Sequence, residues 1–310
     1  MPNNPESYDE KTAAEVDTSV SANNAVDYAV LRGKSVVITG GASGIGEAMA
    51  RGFVKAGAFV TIADIQEELG NGLVKELGGS SQFVKCDVTS WEEQVAMFKA
   101  AVSNSPQKSC DIVFANAGVG EQDSLSTFDE TDEPVKPDMR VLDINQTGVI
   151  YTTKLAFHYF NKQPETEDRE RCLVLTASIA GFLDLPVQVQ YNMSKFSLRG
   201  LMRSLRRTSG ANGIRVNIIA PWFIGTPIMP EGVRETLQAS GLDFALVEDA
   251  AAAALRIAAD KTVHGRSLGI VPRKISETGY MDLKQDDHEE GTLWGYFQHE
   301  VLTFPKRLGA

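Results

Sequence analysis

Short runs of β-branched and aliphatic residues alternate along this chain with longer segments whose apolar positions recur every three or four residues. Ser35 to Thr39 (Ser-Val-Val-Ile-Thr) reads as a buried strand, and Phe59–Ala63, Gln82–Cys86, Ile112–Ala115, Leu173–Thr176 and Ile214–Ile219 repeat the pattern. Between them Glu47–Ala56, Gln66–Leu77, Trp91–Val102 and Met139–Tyr159 carry helical periodicity, as does a segment that bears Tyr191 and runs to about Ser209. Ala250–Ala259 predicts one more helix and Ser267–Val271 the last strand. Strands that alternate with amphipathic helices predict an α/β protein: a doubly wound parallel sheet of about seven strands, covered by helices on both faces. Right-handed crossovers then bring the C-terminal end of every strand to one edge of the sheet, where ligands bind.

The ends of the chain depart from this alternation. Residues 1–25 are polar, acidic and aperiodic, which predicts a mobile arm ahead of a single catalytic domain over 26–280. The tail, 281–310, is charged yet carries Trp294, Tyr296, Phe297 and Phe304, a set expected to dock against the core or against a subunit.

Three features fall at the predicted ligand edge. The first strand ends in Gly40-Gly41-Ala42-Ser43-Gly44-Ile45-Gly46, ahead of a helix. Strand, glycine loop and helix together present a helix N-terminus and free backbone N–H groups to a pyrophosphate, and glycines let the phosphate approach. This is a Rossmann-type arrangement. A phosphate loop of the nucleotide triphosphatase kind is excluded, because Glu47 and Ala48 stand where Lys and Ser or Thr are needed. The second strand ends in Asp64, 18 residues beyond Gly46, placed to accept hydrogen bonds from both hydroxyls of an adenosine ribose. An acid there repels a 2′-phosphate and favours NAD over NADP. Asp87 and Asn116-Ala117-Gly118 fall at the same edge.

Tyr191-Asn192-Met193-Ser194-Lys195 supplies the candidate chemistry. Residues four apart on a helix lie one above the other. A free tyrosine titrates near pH ~10 and a free lysine near ~10.4, so at neutral pH the lysine is charged and the phenol is not. A neighbouring cation is expected to lower the phenol's pKa towards the range of a general base.

Composition narrows the partners. The chain has 310 residues, 43% of them hydrophobic, and a net charge of −11, a balance that argues against nucleic acid or an anionic membrane. Cys86, Cys110 and Cys172 are odd in number and widely spaced, which suits a reducing compartment. No signal sequence opens the chain and no run is long enough to span a bilayer, so a soluble cytoplasmic protein is expected. No His, Cys or acid cluster has metal-ligand spacing. The sequons at Asn145 and Asn192 read as chance.

Taken together, Thr39-Gly-x-x-x-Gly44-x-Gly46, Asn116-Ala117-Gly118, Asn145, Ser178, Tyr191-x-x-x-Lys195 and Pro221 occur in one order, with Ser178 and Tyr191 13 residues apart. Over roughly residues 33 to 272 the chain resembles the short-chain dehydrogenase/reductase superfamily. It is similar to NAD-dependent members that oxidise secondary alcohols, and more loosely to 15-hydroxyprostaglandin dehydrogenase-like proteins of fungi, some of which act in secondary metabolism.

The resemblance implies a role for each position. Gly40, Ser43, Gly44, Ile45 and Gly46 would bind the pyrophosphate side of NAD, Asp64 the adenosine ribose, and Asp87 and Val88 would flank the adenine. Asn116, Ala117 and Gly118 would steady the sheet edge, while Pro221, Ile224 and Thr226 would adjoin the nicotinamide carboxamide. Tyr191 would be the acid/base, Lys195 would lower its pKa and bond the nicotinamide ribose, Ser178 would bond the reacting oxygen, and Asn145 would hold a water in a proton relay. Related proteins pair through the helices carrying Asn145 and Tyr191, so a homodimer or homotetramer is implied. The chain departs from the family at Trp222, where glycine is usual after the proline; an indole there would narrow the substrate entrance or pack on the nicotinamide side.

The expected reaction is reversible hydride transfer between NAD(H) and a hydrophobic secondary alcohol or ketone. Phe182, Leu183, Leu185, Trp222, Phe223, Ile228 and Met229, from segments 119–128, 182–189 and 222–244, predict an apolar substrate pocket. A non-catalytic dinucleotide-binding redox sensor or scaffold is the alternative, though such proteins usually lose the tyrosine or the lysine. A serine hydrolase built on Ser178 lacks a nucleophile elbow.

Overall fold

The strand runs do assemble into one sheet. A computed structural model describes residues 26–120, 125, 128–163, 169–229 and 231–307, and of 304–307 the backbone only. Strands β1 (Ser35–Thr39), β2 (Phe59–Asp64), β3 (Ser81–Lys85), β4 (Ile112–Ala115), β5 (Cys172–Thr176), β6 (Arg215–Pro221), β7 (Ser267–Ile270) and β8 (Tyr280–Asp282) line up in the order β3-β2-β1-β4-β5-β6-β7-β8. All neighbours are parallel except β7 and β8. Strand order reverses between β1 and β4, which opens a crevice at their C-terminal ends.

Side chains two apart on a strand share a face, and the core divides accordingly. Val36, Ile38, Ile112, Phe114, Cys172 and Val174 pack under the helices Gly44–Lys55 and Val247–Ala259 through Met49, Phe53, Ala250 and Ile257. Val37, Val113, Ala115, Leu173 and Leu175 face the other way, onto Met97, Phe98, Leu155, Phe160, Leu198 and Met202 of the helices Trp91–Asn104, Val149–Lys162 and Val189–Leu205. Burial on both faces is what the near-continuous apolar runs require. Cys86, Cys110 and Cys172 are buried, and burial pushes Cys86 and Cys172 up to about 12 and Cys110 higher still, which leaves all three inert as thiols.

Several boundaries differ from expectation for local reasons. The first helix starts at Gly44, inside the glycine loop, rather than at Glu47. The helix expected over Met139–Tyr159 runs as Arg140–Leu142, a π-helical stretch Asp143–Gly148 and Val149–Lys162, with Asn145 inside the wider turn. The tyrosine helix ends at Leu205, and a 3-10 turn, Gly210–Asn212, leads to β6.

β8 is the eighth strand, one more than the sequence pattern suggests, and it begins at Tyr280, the residue where the tail was expected to separate from the domain. Arg–Asp pairs hold the segment that follows it. Arg266 bonds Asp282 at 2.9 Å and also pairs with Asp287, Arg206 bonds Asp287 at 3.0 Å, and Arg199 bonds Asp286 at 2.7 Å. These acids are what lets a charged segment lie on the sheet edge without leaving buried guanidinium groups uncompensated. Beyond it, the helix Leu293–Arg307 leaves Leu293, Trp294, Tyr296, Phe297 and Val301 exposed, so its aromatic face is not seated on this chain's core. Residues 1–25 lie outside the described residues.

Candidate active site

The glycine loop is built by contacts that admit no side chain. Gly40 has φ +61°, and a Cβ there would stand 2.7 Å from Ala117 Cα. A Cβ on Gly46 would lie 2.1 Å from the Gly40 carbonyl oxygen and 2.9 Å from Asn116 Nδ2. Gly44, at φ +54°, faces Thr226, whose Cβ would be 3.2 Å from any added methyl. Gly40, Gly44 and Gly46 are thus glycines because the fold closes on them, and Ser43, the N-cap residue, makes no side-chain capping bond to the first turn of the helix. That combination, bare backbone at a helix N-terminus, fits a pyrophosphate. Ile45 packs on the core behind the loop.

Asn116 ties the loop to the sheet. Its Nδ2 donates to the Thr39 and Gly40 carbonyls at 3.0 Å each, and its Oδ1 accepts from Thr176 Oγ1 at 3.0 Å. Thr39 Oγ1 accepts from the N–H groups of Asn116 and Ala117 at 3.0 and 3.1 Å. Asp64 is buried at the end of β2, where one carboxylate oxygen accepts from Ala42 N–H at 3.0 Å and the other from Gln66 N–H at 3.0 Å. Asp87 accepts from Thr89 N–H and Oγ1 at 2.9 and 2.8 Å, which closes the turn after β3. Val88 is buried against Gly148, where an added Cβ would meet Val88 Cγ2 at 2.8 Å.

Next to this loop, the Ser178 hydroxyl lies close enough to the Tyr191 phenol to lower its pKa. Ser178 Oγ also accepts from Ala180 N–H at 3.1 Å and donates to the Pro221 carbonyl at 3.4 Å. Lys195, four residues after Tyr191, is 4% exposed; its Nζ donates to the Thr176 carbonyl at 3.0 Å and lies 5.4 Å from the centroid of the Tyr191 ring. A Cβ on Gly118 would stand 3.2 Å from Asn145 Oδ1 and 3.5 Å from Lys195 Nζ, which puts these three residues in one cluster. Gly120 sits against the Tyr191 ring, with Ile228 beside it.

The electrostatics differ from the sequence expectation in one respect. Burial pushes the Tyr191 phenol up, and the nearby Ser178 hydroxyl pulls it partly back. Desolvation, which sequence cannot register, outweighs the Ser178 hydroxyl here. The same burial pushes the Lys195 ammonium down to about 8.

Asn145 is fully buried, and its carboxamide is engaged with backbone. Its Oδ1 accepts from Val119 N–H at 2.8 Å, and its Nδ2 donates to the Val119 carbonyl at 2.8 Å and to Ser194 Oγ at 3.2 Å. Ser194 Oγ in turn donates to the Tyr191 carbonyl at 2.7 Å. Pro221 ends β6, and Ile224 and Thr226 follow it, with Ile224 bridged to Ala245. Trp222 is anchored on two sides. Its indole packs against the core, and Nε1 donates to the Asp243 carbonyl at 3.0 Å, so it ties the two ends of segment 222–245 together.

The sequence pattern assigns no role to Thr39, Thr176, Asn192 or Ser194. The last two lie inside the tyrosine–lysine interval, and that position was the available signal. Part of the expected substrate lining, residues 121–124 and 126–127, lies outside the described residues. Leu183, Val187 and Ile228, in the segments expected to line the substrate, carry exposed apolar side chains. Among the described residues no helix is long and apolar enough to cross a membrane, and no group of three metal-ligating side chains occurs.

Comparison with known proteins gives consistent matches. The family of short chain dehydrogenases matches residues 34–236. The chain is 40% identical over 289 residues to 5'-hydroxyaverantin dehydrogenase of Dothistroma septosporum, covering 87% of this chain and 92% of that protein. It is 31% identical to NADP-dependent dehydrogenase M3 of a Phoma species, covering 84% of this chain and 81% of the other. Among solved structures, 3-ketoacyl-(acyl-carrier-protein) reductase from Brucella melitensis complexed with NADH superposes with a TM-score of 0.67 at 25% identity, over 77% of this chain and 97% of that one.

Proposed function

Because the chain belongs to the short chain dehydrogenase family, we propose that it transfers hydride between NAD(H) and a hydrophobic secondary alcohol or ketone, with Tyr191 as acid/base. The observation that carries this reading is the buried Lys195, whose Nζ lies 5.4 Å from the centroid of the Tyr191 ring, with the Ser178 hydroxyl near the phenol, beside a glycine loop closed against any side chain.

Gly40, Ser43, Gly44, Ile45 and Gly46 hold the pyrophosphate, and Asp64, Asp87 and Val88 the adenosine end. Asn116, Ala117 and Gly118 support that edge, while Pro221, Ile224 and Thr226 adjoin the nicotinamide. When bound, the nicotinamide accepts or gives the hydride. Everything else is the protein's task. In the oxidative direction Tyr191 takes the hydroxyl proton, and Ser178 offers a fixed hydrogen bond where negative charge develops on the oxygen. The Lys195 ammonium favours the phenolate and bonds the nicotinamide ribose. Asn145 fixes Val119 and Ser194 around the lysine, and holds the water of a proton relay.

NAD is preferred because the buried Asp64 carboxylate would face a 2′-phosphate; the NADP-dependent relative makes this the first point to test. The exposed Leu183, Val187 and Ile228 support an apolar substrate, and the similarity to 5'-hydroxyaverantin dehydrogenase supports a role in secondary metabolism. Exposed Ile150, Met193 and Phe196 on the helices after Asn145 and around Tyr191 support a homo-oligomer. The test is a screen of 1-indanol, 1-tetralol, 9-fluorenol and sorbitol with NAD and NADP side by side. NADH formation with the ring alcohols and little with sorbitol is expected; turnover confined to sorbitol, or to NADP, contradicts the reading.

A further inference from the structure

One face of the tyrosine helix grips the turn that follows Ser178. The 3-10 turn Ile179–Gly181 uses the carbonyls of Ser178 and Ile179 for its own backbone bonds, from Gly181, Phe182 and Leu183 N–H. Asn192 takes two that remain: its Nδ2 donates to the Ala180 carbonyl at 2.7 Å and to the Leu183 carbonyl at 3.0 Å. One turn further along, the Lys195 carbonyl comes so close to Gly181 that a Cβ there would stand 2.7 Å from it. One turn beyond that, the Arg199 guanidinium lies 4.3 Å from the centroid of the Phe182 ring. Residues 192, 195 and 199 are spaced i, i+3, i+7, which puts all three on one side of the helix.

Arg199 is itself held from elsewhere. Its Nε donates to Asp286 Oδ1 at 2.7 Å and its Nη2 bonds the Gln285 carbonyl, while Asp286, 2% exposed, also accepts from Ser267 Oγ on β7. A continuous run of contacts therefore leads from β7 through the C-terminal segment to the turn that follows Ser178.

We propose that Asn192 and Arg199 are positioning residues that set where the Ser178 hydroxyl stands against the Tyr191 phenol, with Asp286 of the C-terminal segment fixing Arg199. The proposal rests on the catalytic reading above. Ser178 Oγ accepts from Ala180 N–H at 3.1 Å, and Asn192 holds the Ala180 carbonyl in the next peptide unit, one residue from the group that orients the hydroxyl. A misplacement of about 1 Å in a reacting geometry costs up to about a hundredfold in rate, whereas exposed polar side chains without such a task are replaceable.

The experiment makes Asn192→Ala, Arg199→Met and Asp286→Asn singly, each again in a Ser178→Ala background, and the double variant Arg199→Met/Asp286→Asn. Rates are read with NAD and 1-tetralol, cofactor affinity by NADH fluorescence, and the Tyr191 titration by NMR of protein carrying 13C at the tyrosine ring carbon bonded to oxygen, with Tyr191→Phe identifying the signal. Asn192→Ala and Arg199→Met should each lower kcat by about tenfold or more with NADH affinity within about twofold, and should move the Tyr191 titration upward, as Ser178→Ala does. In the Ser178→Ala background both effects should nearly vanish, and Asp286→Asn should add nothing once Arg199 is Met. Undiminished effects in the Ser178→Ala background, or an unmoved Tyr191 titration in both single variants, would overturn the proposal and leave a purely structural clamp. If wild-type protein does not turn over 1-tetralol, the catalytic reading is at fault for that substrate, and the NMR arm still decides the positioning question.

Discussion

Lys195 Nζ donates to the Thr176 carbonyl at 3.0 Å while standing 5.4 Å from the centroid of the Tyr191 ring. The ammonium is thus anchored to the end of β5, and the helix spacing alone brings it to the tyrosine. Its burial has a consequence for stability. Lys195 is pushed down to about 8 in the folded chain from an ordinary value of 10.5.

Between those two values the unfolded chain binds the proton more readily than the folded one, so stability rises with pH through that window. Below pH 8 the folded protein carries the full cost of the buried charge, on the order of 3 kcal/mol. Urea denaturation of wild type and Lys195→Met at pH 7.5 and 9.5 isolates this group. The wild type should gain about 2 kcal/mol relative to the variant as pH rises. An unchanged difference would mean that the amine is not desolvated.

Asp64 gives a prediction about cofactor choice. Its two oxygens accept from Ala42 and Gln66 N–H, so it both shapes the loop and presents negative charge at the end of β2. Charge-assisted hydrogen bonds are worth roughly 1.5–3 kcal/mol. Asp64→Ser should therefore weaken NADH binding by about tenfold or more while NADPH binding improves. Fluorescence titration with both cofactors checks it, and equal losses for the two would contradict a charge-based preference.

Trp222 closes the base of segment 222–245 through its bond to the Asp243 carbonyl, in company with the Ala245 N–H to Phe223 carbonyl bond at 2.9 Å. Trp222→Gly removes a half-buried indole and that tether. A loss of about 2 kcal/mol in unfolding free energy is expected, below the 3–5 typical of fully buried aromatic truncation. Limited proteolysis should cut first between residues 225 and 243. Wild-type resistance of that stretch would show that the indole does not hold it.

Much of this was legible in the chain. Runs such as Val36-Val37-Ile38 and Leu173-Val174-Leu175 read as strands buried on both faces, and their alternation with helices implied the parallel pairing of the sheet's centre. The glycine loop was legible because each glycine answers a contact that forbids a side chain. β8 was not, since Tyr280-Met281-Asp282 is too short to carry a period and is held by Arg266, which lies on neither strand's apolar pattern. The π-helical turn at Asn145 keeps nearly the same apolar spacing as an α-helix and so leaves no trace in sequence. The direction of the Tyr191 shift was missed because a neighbouring charge can be read from spacing, but burial cannot. Asn192 escaped notice since its partners, two carbonyls at positions 180 and 183, carry no side-chain identity.

Tyr191→Phe tests the centre of the account most directly, because it deletes one oxygen and keeps the ring against Gly120. NADH affinity should stay within about twofold of wild type, since the glycine loop and Asp64 are untouched, while turnover of secondary alcohols should fall by at least about a thousandfold. A variant that binds NADH normally and retains wild-type kcat would show that the phenol moves no proton in this protein.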